Sequence, residues 1–175
     1  MTTVAERVQQ SLRAIPDYPK PGILFQDITP VLQDGGLLQD LISDMCRPFR
    51  DRDVTHVMGI EARGFILGGA VATALGAGFV PARKPGKLPW ERATESYDLE
   101  YGSDALEAHR DAWNEGSRVL VVDDVLATGG TAKAAGQLVR GLGAELVGWS
   151  FLLEISGLNG RARLTGAPCH VVARC

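Results

Sequence analysis

The stretch Val119 to Thr131, Val-Leu-Val-Val-Asp-Asp-Val-Leu-Ala-Thr-Gly-Gly-Thr, restricts the possible folds more than any other part of the chain. Four apolar residues in a row suit a strand buried on both faces, and parallel sheets covered by helices provide such strands. Asp123 and Asp124 stand where the strand is expected to leave the sheet. The turn Ala127-Thr128-Gly129-Gly130-Thr131 then feeds a helix. Glycines let backbone N–H groups converge, and the N-terminus of the following helix adds its positive dipole. Thr128 and Thr131 supply hydroxyl donors, so the turn suits a phosphate monoester. The two carboxylates would repel a phosphate beside them but can accept hydrogen bonds from a neighbouring diol. Phosphate next to vicinal hydroxyls describes a ribose 5-phosphate. No Gly-Lys-Ser/Thr follows these glycines, which excludes a Walker loop, and no GxGxxG follows a strand. A plain Gly-rich turn whose acids cap a helix is the competing reading.

The remaining pattern agrees with an α/β protein. Val4, Val8, Leu12 and Ile15 recur at helical spacing, with Thr3 and Glu6 forming a capping box. Pro16, Pro19, Pro21 and Gly22 open an irregular segment, and Leu37 to Phe49 gives a second amphipathic helix. Strands are expected at 54–60, 78–82, 118–122, 146–153 and 170–173, with helices at 65–75 and 131–142. Residues 84–96 hold Pro85, Gly86 and Pro89 among charges and read as a mobile loop. A short helix is expected from Ala105 to Trp113, capped by Asp104, with Glu107 and Asp111 on its solvated face. Alternating strands and helices imply a mainly parallel twisted sheet with helices on both faces, in a single domain spanning 1–175. Ligands of such sheets bind beyond the carboxyl ends of the strands.

Composition sets the outer limits. With 175 residues, 45% hydrophobic, and a net charge of −3, nothing favours nucleic acid or an anionic membrane as partner. Glu6, Arg7 and Arg13 interrupt the N-terminus where a secretory leader needs an apolar run. Cys46, Cys169 and Cys175 have no metal-type spacing and read as reduced thiols of a cytoplasmic protein. His56, His109 and His170 are too scattered for a metal site.

The segment 119–131 resembles the phosphoribosyl-pyrophosphate signature of type I phosphoribosyltransferases. Four further segments narrow the likeness to the adenine phosphoribosyltransferase family: Phe25 to Pro30, Gly59 to Phe65, Arg83 to Pro89, and Tyr97 to Gly102. They occur in the family's order and span nearly the whole chain. The resemblance implies transfer of a phosphoribosyl group from phosphoribosyl pyrophosphate to adenine, giving AMP and pyrophosphate with Mg²⁺ carried mainly on substrate oxygens. It implies a homodimer, a small hood at about 16–30, and a catalytic loop at about 84–101. It assigns Glu100 as the acid–base residue and Ala127, Thr128, Gly129, Gly130 and Thr131 to the 5-phosphate. Asp123 and Asp124 fall to the ribose, and Arg63, Arg83 and Lys87 to the diphosphate. Leu24, Phe25 and Gln26 of the hood, with Leu158 opposite, border the base. Gln26 stands where some relatives carry Arg. It also implies a cis peptide between Glu61 and Ala62. For Arg63 the competing reading is a surface ion pair with Glu61; for Glu100 it is a solvated carboxylate; for Leu24, Phe25 and Leu158 it is core packing. Two alternatives of function remain: the same fold acting on another base, or a regulator that senses phosphoribosyl pyrophosphate without catalysis.

Overall fold

The computed structural model describes residues 2–98 and 103–175. Helix α1 (Val4–Ser11) is opened by the Thr3–Glu6 capping box, in which each residue's side chain accepts from the other's backbone N–H. The helix stops before Leu12, because Arg13–Ile15 pairs as β1 with β2 (Phe25–Asp27) in an antiparallel ribbon. Ile15 therefore belongs to a strand and not to the helix its spacing suggested. Helices α2 (Thr29–Gln33) and α3 (Gly35–Cys46) follow, and Pro48 lies in a 3₁₀ turn that closes α3.

The centre is a five-stranded parallel sheet of β3 (His56–Ile60), β4 (Gly78–Ala82), β7 (Arg118–Leu126), β8 (Glu145–Glu154) and β9 (Cys169–Arg174), in the order β4-β3-β7-β8-β9. Chain order reverses between β3 and β7, and that reversal opens a crevice at the strands' carboxyl ends. Helix α4 (Gly64–Leu75) connects β3 to β4, and α5 (Gly130–Gly141) connects β7 to β8. Two apolar clusters cover the sheet. One gathers Val8, Leu37, Leu41, Met45, Leu67 and Val71 from α1, α3 and α4. The other gathers Ala134, Ala135, Leu138 and Val139 of α5 with Trp149 and Phe151.

The second face also carries a hairpin that the sequence pattern did not reveal. Residues Arg92–Asp98 (β5) pair antiparallel with Ser103–His109 (β6), so the expected helix from Ala105 is a strand, as is the latter part of the expected loop. Ala, Leu and Glu favour helices, but propensity is a weak prior that tertiary packing overrides. Leu106 and Ala108, two residues apart, are fully buried in the core against α5, which a strand's two-residue period permits. Leu88 and Tyr97 are buried as well, so this region has apolar anchors that its charges conceal.

Candidate functional site

Every loop that the sequence singled out, among the described residues, follows a strand of the parallel sheet or belongs to the N-terminal ribbon. Residues 61–63 follow β3, residues 83–88 follow β4, the turn 127–129 follows β7, and Leu158 follows β8. Parallel strands bring the first three loops to one edge, on both sides of the reversal between β3 and β7.

The turn after β7 encloses a cavity of about 80 Å³ lined by Asp123, residues 125–129, Thr131 and Ala132. Gly129 has φ of 81°, the left-handed region where a side chain is strained, and α5 begins at Gly130. The helix therefore presents its free N–H groups and dipole toward the cavity. Backbone packs directly on this turn from the segment after Leu158. A Cβ on Gly160 would lie 2.1 Å from the carbonyl oxygen of Ala127, and one on Gly129 would lie 2.4 Å from that of Gly160. Gly160 escaped the sequence reading, although Asn159-Gly160 is a turn dipeptide beside a residue already singled out. Leu158 itself is 50% exposed, so core packing does not explain it.

The two acids lie within β7, which runs on to Leu126 beyond the four apolar residues. Asp123 borders the cavity, whereas Asp124 is buried and accepts a hydrogen bond from the Arg63 guanidinium Nε. Burial first, and then the neighbouring charge of Asp124, push the Asp123 carboxyl well above the ordinary carboxylate range. Asp123 keeps an accessible edge, but its Oδ1 is crowded: a Cβ on Gly64 would come within 2.7 Å of it. Glycine at position 64 thus lets the start of α4 lie against the acid pair. Arg63 pairs with Asp124 and not with Glu61. Burial disfavours its charged form, but the hydrogen bond and charge of Asp124 outweigh this and raise its pKa.

Glu61 has a different set of partners. Its carboxylate accepts from Arg83 Nη2 at 3.2 Å, from the Lys84 backbone N–H at 2.9 Å and from Lys87 Nζ at 2.7 Å. Burial works against ionisation there, but the Lys87, Lys84 and Arg83 hydrogen bonds prevail and lower the pKa to about 2. The Glu61–Ala62 peptide is cis. Lys84 turns away to Tyr97 and Asp104, which separates it from Arg83 and Lys87.

Of the hood residues, Leu24 is 58% exposed, and Phe25 and Gln26 are half-buried. The Phe25 ring meets Tyr18 edge-on at 5.2 Å, and Arg63 lies 5.8 Å from its centroid. The ribbon therefore joins the same edge as the basic loops. Glu100 lies outside the described residues. Glu107, expected on a solvated helix face, is instead a buried strand residue with four described side-chain or backbone partners. The strand's period turns it away from Leu106 and Ala108 and under the loop of residues 83–88.

The Phosphoribosyl transferase domain family matches residues 35–159. The adenine phosphoribosyltransferase of Myxococcus xanthus is 59% identical over 93% of this chain and 89% of its own length. That of Nitrosococcus oceani is 52% identical over 94% of this chain and 96% of its own. Among solved structures, the adenine phosphoribosyltransferase of Rhodothermus marinus superposes with a TM-score of 0.94 at 52% identity, covering 98% of each chain. The Saccharomyces cerevisiae enzyme, complexed with D-2,5-dideoxy-2,5-imino-altritol 1,6-bisphosphate and adenine, gives 0.91 at 42% identity over 97% of this chain and 98% of its own. A family match over residues 35–159, with relatives more than half identical over nearly the whole chain and a solved structure superposing at a TM-score of 0.94, establishes that the chain belongs to the adenine phosphoribosyltransferase family of glycosyltransferases.

Proposed function

We propose that this enzyme transfers the 5-phosphoribosyl group of phosphoribosyl pyrophosphate to adenine, giving AMP and pyrophosphate in purine salvage. The observation that carries the reading is a row of three devices across the sheet reversal: the cavity at the α5 N-terminus, the acid pair, and the basic loops after β3 and β4. An anion–diol–anion substrate fits that row. The yeast relative's complex pairs adenine with a sugar analogue bearing two phosphates, which agrees with two anion sites and one base site.

The 5-phosphate takes the N–H groups of 127–131 with the Thr128 and Thr131 hydroxyls. Asp123 and Asp124 accept from the ribose hydroxyls, and Arg63, Arg83 and Lys87 receive the diphosphate through charge-assisted hydrogen bonds. The base lies between Leu24, Phe25 and Gln26 of the hood and Leu158. A bond forms between a purine nitrogen and the anomeric carbon as the bond from that carbon to the diphosphate oxygen breaks. The electron pair leaves on pyrophosphate, and Glu100 takes the proton from the base. The loops contribute position and charge, which suits a reaction needing no strong protein nucleophile.

Among the described residues no group of three or more His, Cys, Asp or Glu side chains could cage a metal ion. Magnesium would reach this site as a substrate-borne ion, held mainly on substrate oxygens. When bound, it neutralises charge on the diphosphate. The chain reads as one domain with the hood at about 16–30, and the catalytic segment at about 84–101 includes strand β5 at Arg92–Asp98. A cytoplasmic homodimer is the assembly we infer. Three free thiols agree with that compartment, and exposed Ile66 and Phe79 offer apolar surface for a second copy.

Incubation with phosphoribosyl pyrophosphate, Mg²⁺ and a panel of bases, followed by identification of the nucleotide, tests the reading. AMP from adenine is expected. IMP, GMP or OMP as the main product would assign another base, and no nucleotide at all would favour a sensing role.

A further inference from the structure

We infer that Glu107 is a positioning residue for diphosphate binding, holding the loop 83–87 in the shape that brings Arg83 and Lys87 to the diphosphate. The inference rests on the assignment of those two cations to the diphosphate. Glu107 is 4% exposed, a rare position for a carboxylate unless its oxygens are satisfied. Both are. Oε2 accepts from the Gly86 N–H at 3.0 Å, and Oε1 accepts from Arg92 Nε at 3.1 Å and Thr94 Oγ1 at 3.3 Å. Its backbone exchanges two hydrogen bonds with Arg83, at 2.9 and 2.8 Å.

One residue therefore grips the loop twice, at Arg83 through the main chain and at Gly86 through the side chain. Between these points the chain must turn sharply, and Gly86 has φ of 79°. Arg83 Nη1 closes the turn by donating to the Lys87 carbonyl at 3.2 Å, and Leu88 is buried just beyond. With the turn fixed, Arg83 Nη2 and Lys87 Nζ both arrive at one oxygen, Oε1 of Glu61, at 3.2 and 2.7 Å. Glu107 touches neither cationic group. It fixes the backbone from which both extend, while Arg92 and Thr94 tie it to β5.

A glutamine at this position has one acceptor oxygen and turns an NH₂ toward either Gly86 N–H or Arg92. Glu107→Gln therefore keeps the size of the side chain but loses either its hold on Gly86 or its tie to Arg92 on β5, and either loss frees the side chain that links the loop to the hairpin. The experiment measures KM for phosphoribosyl pyrophosphate and adenine, and Kd for pyrophosphate and AMP, in Glu107→Gln, Glu107→Ala, Arg83→Ala and Lys87→Ala. Loss of a hydrogen bond to a charged group corresponds to roughly a tenfold change or more. KM for phosphoribosyl pyrophosphate and Kd for pyrophosphate should rise about tenfold in Glu107→Gln, while the adenine and AMP values stay within about twofold. Hydrogen exchange at the Gly86 amide should accelerate in the same variant. If Arg83→Ala and Lys87→Ala leave pyrophosphate affinity intact, the diphosphate assignment fails and this inference with it. If they weaken pyrophosphate but Glu107→Gln does not, the inference alone is overturned. Equal losses for all four ligands in Glu107→Gln would mean a general structural role and would overturn it too. Should Glu107→Ala fail to fold, the near-isosteric Glu107→Gln decides.

Discussion

Arg63 and Asp124 neutralise each other across the sheet reversal: the guanidinium from the loop after β3 donates to a carboxylate near the end of β7. Arg63 is 48% exposed and Asp124 only 8%, so the arginine can turn to a ligand more easily than the acid can. Substrate binding would exchange this pair, sending the diphosphate to Arg63 and the ribose hydroxyls to Asp124. Arg63→Ala should therefore weaken pyrophosphate and phosphoribosyl pyrophosphate by about tenfold or more, and AMP by much less, because AMP has no diphosphate. Removing the arginine also leaves a buried carboxylate unpaired, so stability should fall by roughly 1–3 kcal/mol. Isothermal titration with the three ligands and a thermal melt measure both effects. Equal weakening of all three in a folded variant would refute the assignment.

Gly160 offers the opposite selectivity. Its added Cβ would meet the Ala127 carbonyl at 2.1 Å, and backbone cannot rotate aside as a flexible side chain can. Gly160→Ala should displace the turn 127–129 and weaken AMP and phosphoribosyl pyrophosphate together, since both carry the 5-phosphate. Pyrophosphate, held on other loops, should bind almost normally. Gly157 has nothing within 4 Å of its Cβ position, so Gly157→Ala serves as the control with near-normal binding. Normal AMP affinity in Gly160→Ala would remove the turn from the phosphate site.

Glu61 sets an acid-sensitivity that can be measured without substrate. Its folded pKa is about 2 against an ordinary 4.5, so the unfolded chain binds the proton more readily. Its contribution to stability is therefore complete above pH 4.5 and is lost as the pH falls toward 2. Denaturant melts should show wild type ahead of Glu61→Gln at neutral pH, with the gap narrowing across that acid window. A gap independent of pH would show that the three donors do not depend on the charge of Glu61.

The difference between what was legible and what was not follows from how each signal is written into the chain. Val119 to Val122 and Val57 to Ile60 are short β-branched-rich apolar runs bounded by polar or turn residues, which favours strands covered on both faces and hence the parallel sheet. Turn chemistry likewise exposed residues 127–131. The β5–β6 hairpin was hidden because Ala105, Leu106, Glu107 and Ala108 are helix formers whose strand state depends on pairing with Arg92–Asp98 and packing on α5. Glu107 was misread for the same reason: its partners are Gly86, 21 positions earlier, and the paired strand residues Arg92 and Thr94. The partner of Arg63 was invisible too, since Asp124 lies 61 positions away and only the sheet order brings them together.

Glu100 carries the chemical step in the proposed reaction, and it belongs to the segment Tyr97 to Gly102 that resembles the family. A carboxylate that receives the base's proton as the new bond forms acts in the transition state, so its loss should appear in kcat. General acid–base assistance is worth about 10²–10⁴-fold, and both Glu100→Gln and Glu100→Leu should lose an amount in that range. Gln preserves shape without basicity, whereas Leu removes polarity as well; similar losses in both would assign the effect to the proton. KM for phosphoribosyl pyrophosphate should change less, because Glu100 acts on the base while other residues hold the phosphate, diol and diphosphate. A merely solvated carboxylate predicts near-normal turnover in both variants. Product release can mask a slowed chemical step in steady state. Single-turnover measurements with adenine isolate that step, and near-wild-type rates there would remove Glu100 from the mechanism.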